Sequence, residues 1–316
     1  MSDIPSSHDA TGPIKRPRRW HIAIFLLPAF IIYSAVMILP LIETLRLSLF
    51  NTVDGQSTFV GIANFKVLFG DERWAADFWN ALKNNFIFFV IHMLVQNPIG
   101  VALAAMLSLP KLRFAAFYRT AIFLPTLLSF VIVGFIWKLI LSPIWGVSPY
   151  LMDLVGLKSL FSPWLGKPNS ALIAVSLISV WQYVGIPMML IYAALLNIPD
   201  EVIEAAECDG VTGWSQFFKI KLPLILPAIG IISILTFVGN FNAFDLVYTV
   251  QGALAGPDKS TDILGTLLYR TFFGFQLQLG DRSMGATIAT VMFLIILAGV
   301  SLYLFAIQRR MRRYQF

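Results

Sequence analysis

The stretch NIPDEVIEAAECDGVTGWSQFFKIKLP, residues 197–223, separates two long apolar segments and is the most informative part of this chain. Pro199 and Asp200 are typical of a helix start, and the acidic residues that follow are favourable in the first turns of a helix. Gly210 can supply the left-handed conformation that often ends a helix. The first half of the stretch therefore predicts a short helix over 201–209 that stops at a sharp bend.

The second half of the same stretch predicts another short helix. Thr212 can cap a helix over 213–220, and Pro223 suits the first turn of the apolar segment that follows, where a proline lacks no needed N–H donor. Two short helices with a glycine bend between them would lie across one face of the surrounding structure. This degree of order is more than a plain connector needs.

Outward from this loop, the chain is dominated by apolar stretches long enough to cross about 30 Å of hydrocarbon. Within a lipid bilayer, each stretch must be helical because unpaired backbone groups find no water there. The spans are predicted at about 22–42, 85–107, 120–141, 171–196, 224–250 and 285–307. The predicted fold class is an all-α membrane protein with about six transmembrane helices, a cytoplasmic loop over 197–223 and no soluble domain.

The composition supports a membrane protein and excludes several other classes. Hydrophobic residues make up 58% of the chain and charged residues only 13%, against about 25% charged residues in soluble proteins. The single cysteine, Cys208, and the three histidines leave no basis for a disulfide framework or a metal cluster. The net charge of +6 is scattered between apolar segments, which favours membrane topology over nucleic-acid binding.

Basic residues close to the span ends predict the orientation of the chain, because lysine and arginine accumulate on the cytoplasmic side. The residues concerned are Lys15, Arg16, Arg18, Arg19, Lys111, Arg113, Arg119, Lys219, Lys221, Arg309, Arg310, Arg312 and Arg313. Both termini are therefore expected in the cytoplasm, as a tail over 1–20 and a basic tail over 309–316 that flank a permease domain over 21–308. The segments 43–84, 142–170 and 251–284 are expected outside. The first apolar stretch exceeds a signal-peptide core and is interpreted as an uncleaved span.

The loop between the fourth and fifth spans resembles the EAA motif of binding-protein-dependent ABC importer permeases. The matching residues are Glu204, Ala205, Ala206, Gly210, Ile220, Leu222 and Pro223, with every spacing of the motif kept. In that family the two short helices form a coupling helix that sits in a groove of the ATPase subunit, a helix-in-groove interaction. The alternative is a helix pair lying on lipid, which the acidic residues of the loop disfavour because anionic lipid would repel them.

The resemblance narrows to carbohydrate-type permeases, such as those of maltose and glycerol-3-phosphate importers. It includes the pattern Phe59-Val60-Gly61-x-x-Asn64-Phe65, the pair Pro28 and Pro40, and Asn84 before the second span. The segment 249–257 is longer than the family pattern and lacks its adjacent glycines, which leaves the shape of this outer loop open.

The resemblance also implies a set of partners. These are a second homologous permease subunit, two ATP-binding subunits, an extracytoplasmic solute-binding protein and membrane lipid. The chain has no Walker A sequence, so no catalytic residue, cofactor or metal is expected in it, and ATP with Mg²⁺ would be used by the partner ATPase.

Polar residues inside the apolar stretches mark a possible solute pathway, because they are costly in lipid unless they face a cavity or a partner. By resemblance to the maltose permease, Asn240, Phe241 and Asn242 are candidate contacts for the solute. The further candidates are Asp245, Gln182, Tyr183, Gly185 and Met188. The alternative for each is hydrogen bonding between helices. Asp245 could instead pair with Arg270 or Lys259, and His92, Gln96 and Asn97 are interpreted as packing groups.

Three other functions were weighed against the sugar importer. A secondary transporter would favour inverted repeats and helices broken at mid-membrane, and neither is evident in the sequence. An intramembrane enzyme would need paired catalytic groups within the spans, which are absent from the sequence. An ABC importer of a non-sugar solute stays open.

Overall fold

The computed structural model describes residues 20–53, 56–109, 112–276 and 278–306. The predicted basic tails at 1–19 and 309–316, and Lys111, lie outside the described residues. The chain divides into two units, residues 1–46 and residues 47–316.

The first unit is described by a single long helix, α1. It comprises Trp20–Tyr33, a π turn at Ser34–Ile38 and Leu39–Leu47. The apolar window within Ile24–Leu47 has none of its residues buried, and Phe25 is 81% exposed. A helix that is apolar and yet unburied by its own chain is what a lipid-facing span requires.

The second unit contains a short β-hairpin and twelve helices among the described residues. The strands are β1 (Phe50–Val53) and β2 (Gln56–Phe59). The helices are α2 (Ala63–Gly70), α3 (Glu72–Leu107), α4 (Ala115–Phe123), α5 (Phe130–Ile140), α6 (Val147–Leu154), α7 (Pro168–Tyr183), α8 (Gly185–Leu196), α9 (Asp200–Cys208), α10 (Gly213–Phe241), α11 (Asp245–Gln251), α12 (Leu264–Phe273) and α13 (Arg282–Ala306). Single 3₁₀ turns lie at Leu124–Leu127, Lys158–Leu160, Trp164–Gly166 and Pro257–Lys259.

The hairpin is a small exception to the predicted all-helical architecture. It pairs Phe50 with Phe59 in antiparallel register. The buried side chain of Asn64 donates to the carbonyls of Ser48 at 2.9 Å and Phe50 at 3.0 Å. The asparagine noted in the sequence pattern therefore ties α2 to the hairpin.

Helix α3 is the centre of the second unit, because it contributes to all three clusters of buried apolar residues. Phe78 packs with α10, α12 and α13. Phe88 packs with α5, α7 and α11. Ala104 packs with α8 and α10. The other helices are thus arranged around one long helix rather than around a compact globular core.

The predicted fold class is confirmed, with corrections to where the spans begin, end and bend. Among the described residues, four helices are long and apolar enough to cross a membrane, and the count reaches six if the bent pairs α4–α5 and α7–α8 each form one span. The first pair bends by 97°, at the 3₁₀ turn that contains Pro125, and the second by 42°.

Two helices begin about three turns before the predicted spans. Helix α3 begins at Glu72 rather than residue 85, because the Asp71 side chain accepts from the backbone N–H groups of Arg73 and Trp74 and so caps it. Helix α10 runs from Gly213 to Phe241, so the predicted short helix over 213–220 continues directly into the fifth span, and the predicted span over 224–250 is interrupted after Phe241.

Three long helices widen into a π turn that ends two residues before a proline. These turns are Ser34–Ile38 before Pro40, His92–Gln96 before Pro98, and Phe217–Lys221 before Pro223. A proline ring clashes with the carbonyl four residues earlier and offers no N–H. In each turn, the residue before the proline donates to the carbonyl five residues back, which relieves that clash while the helix continues.

Candidate coupling loop and solute cavity

The loop between α8 and α10 contains the bend predicted at Gly210. This glycine has φ of +74°, a conformation that costs residues with a side chain more than glycine. Its N–H donates to the Glu207 carbonyl at 3.0 Å, and the Val211 N–H donates to the Ala206 carbonyl at 2.8 Å. This pair of bonds is the Schellman arrangement, and it fixes the direction in which the chain leaves α9.

The EAA residues of α9 point in different directions. Ala206 is buried, whereas Glu204 and Ala205 are exposed. Beyond the bend, Trp214 is 77% exposed and stacks on the exposed Phe218, with ring centroids 6.1 Å apart. The loop thus presents a carboxylate, a small residue and an aromatic pair on its surface.

The last three motif residues lie inside α10 rather than at its start. Ile220, Leu222 and Pro223 are all half-buried, and Leu222 packs against the cluster formed by α3, α8 and α10. They join the loop rigidly to a long helix. A displacement of α9 can therefore be transmitted along α10.

A cavity of about 460 Å³ lies beside the break between α10 and α11. Its walls come from α3, α7, α8, α10 and α11. Its polar lining residues are His92, Gln96, Ser179, Tyr183, Thr236, Asn240, Asn242 and Asp245.

The buried side chain of Asn85 supports the break that forms this cavity. Its amide nitrogen donates to the Asn240 carbonyl at 2.9 Å, and its amide oxygen accepts from the Leu264 N–H at 2.7 Å. One side chain thereby satisfies a carbonyl near the end of α10 and an N–H at the start of α12, which have few helical partners of their own.

A family model described as the inner membrane component of binding-protein-dependent transport systems matches residues 96–313. The chain belongs to this family. It is an inner-membrane transport component, referred to below as the permease.

Individual relatives agree with the family match. The permease is 34% identical over 278 residues to the probable ABC transporter permease protein YurN of Bacillus subtilis (strain 168), covering 87% of this chain and 91% of the relative. It is 32% identical over 287 residues to the lactose transport system permease protein LacF of Rhizobium radiobacter, covering 91% and 94%. The predicted function, a transmembrane subunit of an ABC importer with carbohydrate permeases among its relatives, is confirmed.

A solved structure supports the same fold. The permease matches a chain of the bacterial alginate ABC transporter in complex with an alginate pentasaccharide-bound periplasmic protein, with a TM-score of 0.75 and 22% identity. The match covers 94% of this chain and 96% of that chain. This likeness concerns the fold alone.

The structure divides the predicted pathway residues of the permease into two groups. Tyr183, Asn240, Asn242 and Asp245 line the cavity together. Phe241 does not line it; this residue is buried against Phe237, with ring centroids 4.6 Å apart.

Three predicted pathway residues of α7 and α8 instead contact other segments of the protein. The Gln182 amide nitrogen donates to the Leu128 carbonyl at 3.1 Å. A Cβ atom on Gly185 would lie 2.9 Å from the Phe123 Cα, so this glycine permits close packing. Met188 is fully buried in the cluster formed by α3, α8 and α10. Neighbouring helices, which sequence spacing does not reveal, decide their direction.

Two residues interpreted as packing groups line the cavity of the permease. His92 and Gln96 begin and end the π turn of α3, and the His92 Nε2 atom lies 3.0 Å from the Ser179 Oγ atom. The signal that could have found them is Pro98, because polar residues just before a proline within a span coincide with a widened turn. Asn97 does bridge helices, as interpreted, by donating to Thr236 Oγ1 at 3.1 Å.

The suggested ion pairs of Asp245 were wrong. Arg270 pairs with Asp262 at 2.6 Å, and Lys259 pairs with Asp77 at 2.6 Å. Within the described parts of the chain, no salt bridge involves Asp245. Its side chain remains exposed at the cavity.

Proposed function

We propose that the permease carries a sugar or related polyhydroxy solute across the cytoplasmic membrane through the cavity at the α10–α11 break. The observation that carries this proposal is a pair of unpaired amide oxygens in the lining. The Oδ1 atom of Asn240 and the Oε1 atom of Gln96 are buried and have no hydrogen-bond partner among the described residues. Buried polar groups without partners are costly, and a ligand that entered the cavity with hydroxyl donors would satisfy these oxygens.

The hydrogen bonding of Asn240 favours a ligand that donates from hydroxyl groups. Its amide nitrogen donates to the Thr236 carbonyl at 2.6 Å, which leaves the amide oxygen free to accept. A sugar hydroxyl can donate to such an oxygen. The relative LacF is named for lactose transport, which agrees with this solute class.

The remaining parts of the transport cycle are proposed to come from partners. A second homologous permease, two ATP-binding subunits and an extracytoplasmic solute-binding protein would complete the importer. The ATPase subunits would use ATP and Mg²⁺, while this chain binds no cofactor and catalyses no reaction. Closure of the ATPase dimer would move α9 and bias α10 between inward-open and outward-open states.

The orientation of the permease gives a direct test of this arrangement. Topology reporters fused at the N-terminus, near Leu112, near Val211 and at the C-terminus should report the cytoplasm, because basic residues flank those positions in the sequence. Reporters near Asp71 and Ser159 should report the outside. An external signal at Val211 would contradict the proposal, because an ATPase subunit could not reach the loop.

The cavity amides provide the test of the solute class. The double variant Asn240→Ala/Asn242→Ala should weaken the apparent affinity for a transported sugar by roughly 10- to 100-fold, since each lost hydrogen bond costs about 0.5–1.5 kcal/mol. The measurement is uptake against sugar concentration in proteoliposomes that contain the whole importer. Asn51→Ala, at an exposed position in β1, is the matched control and should behave as wild type. Unchanged kinetics in the double variant would show that the amides only hold helices together.

A further inference from the structure

The charged groups around the cavity are unevenly distributed. Among the described residues, no lysine or arginine lines it, and Asp245 is the acidic side chain in the lining. The sequence suggested Arg270 and Lys259 as ion-pair partners of Asp245. Each of them instead forms an ion pair with another residue, at 2.6 Å. The carboxylate of Asp245 is therefore not neutralised by a salt bridge within the described chain.

The neutral polar groups of the lining are also better suited to hydroxyl donors than to anions. Gln96 and Asn240 are each more than nine-tenths buried, and their amide oxygens, unpaired among the described residues, can accept from a hydroxyl but cannot donate to an anion. The amide nitrogen of Asn240, which could otherwise serve an anion, is already donated to the Thr236 carbonyl. Recognition of a carboxylate or phosphate normally uses arginine or lysine, which this lining lacks.

We propose that this cavity selects solutes by charge, admitting neutral polyhydroxy solutes and rejecting anionic ones such as uronates and sugar phosphates. Asp245 acts as the specificity-determining residue, through repulsion of negative charge, and Gln96 and Asn240 accept from hydroxyl groups. The inference rests on the proposed role of the cavity as the solute pathway, and it adds the charge class of the solute.

A cysteine reporter measures this selectivity without knowledge of the natural solute. Gly239 lines the cavity, and a Cβ atom built on it meets no other atom within 4 Å, so Gly239→Cys should fit. Cys208→Ser removes the single native thiol. The probes are two methanethiosulfonates of similar size, one carrying a trimethylammonium group and the other a sulfonate, applied to the assembled importer in proteoliposomes.

The cationic probe should react faster than the anionic probe by about tenfold beyond their ratio with free cysteine, because a nearby unit charge in a partly buried site has an effect of this order. Asp245→Asn should abolish that preference. Asp153→Asn, which removes an exposed acid on α6 outside the cavity, should leave it unchanged.

Three results would overturn the inference. The first is a ratio of reaction rates for the two probes that equals their ratio with free cysteine. The second is a preference for the cationic probe that survives Asp245→Asn. The third is a Gly239→Cys thiol that reacts with neither probe. ATP-driven sugar uptake by wild-type importer, measured in parallel, separates the two proposals. If uptake is normal and responds to Asn240→Ala/Asn242→Ala but charge preference is absent, only the charge inference fails.

Discussion

Replacing Gly210 by valine is expected to abolish ATP-driven uptake while the permease still inserts in the membrane. The glycine has φ of +74°. A β-branched residue in this region is strained by about 1–2 kcal/mol or more. No atom lies within 4 Å of a Cβ built there, so the effect would act through the backbone rather than through a clash within the permease.

The strain at Gly210 would be relieved at the expense of the helix end. A shift of this residue out of positive φ would break the bond from the Val211 N–H to the Ala206 carbonyl and redirect α9 relative to α10. A misdirected α9 could not fit a preformed groove on the ATPase. We therefore expect loss of the ATPase subunits on purification, or retention of them without stimulation by the loaded binding protein.

Gly210→Asn is the matched control for this variant, because asparagine tolerates the left-handed conformation better than other non-glycine residues. It should retain a substantial part of wild-type uptake. Wild-type uptake by Gly210→Val would show that α9 is not the coupling element.

Charge reversal at Glu204 tests the same proposed contact between α9 and the ATPase, but it changes a surface charge rather than the backbone conformation. Its side chain is exposed, and no salt bridge involves it within the described residues. Glu204→Lys should reduce uptake strongly and Glu204→Gln less. Compensating substitutions should arise in the ATPase groove rather than in the spans of the permease.

Breaking the ion pair between Asp262 and Arg270 is expected to have the largest effect on stability. The side chains are 0% and 6% exposed, and their charged atoms lie 2.6 Å apart. Removal of one partner leaves a buried charge without compensation, at a cost of about 3–5 kcal/mol. Arg270→Met should therefore unfold at a markedly lower temperature than wild type when the purified importer is heated and its soluble fraction is measured.

The same pair helps to fix the loop after α11, whose shape the sequence pattern left open. Arg270 also donates to the Ala253 carbonyl at 3.0 Å, and the Asp262 carboxylate accepts from Thr266 Oγ1 at 2.7 Å. Hydrogen bonds from Arg270 and Thr266 of α12 thus fix the loop after α11, at Ala253 and at Asp262 respectively.

Two controls separate the buried charge from a general effect of substitution. Lys158→Ala breaks an exposed ion pair with Asp153, which should cost at most about 1 kcal/mol. The double variant Asp262→Leu/Arg270→Met removes both buried charges and should be less destabilised than Arg270→Met alone. A single variant as stable as Lys158→Ala would contradict the expected penalty.

The sequence by itself determined those features that depend on local physics. Long apolar stretches without water can only be helical, so the membrane class and the approximate number of spans followed from composition and length. The bend after α9 followed from Gly210, because a single residue type readily adopts its conformation. The spacing of the motif that includes this glycine was sufficient to indicate the family.

The tertiary structure alone decided where the fifth span breaks and which polar residues face the cavity. Asn240, Asn242 and Asp245 make the end of the run over 224–250 polar, but they do not specify that the helix breaks at 242–244. The break is supported by Asn85, which is 155 positions from its partner Asn240 and 179 positions from Leu264. A polar side chain within a span can bond to any neighbouring helix, and sequence periodicity does not specify which neighbour it meets. For this reason Gln182 bonds to the link between α4 and α5, whereas Gln96 lines the cavity.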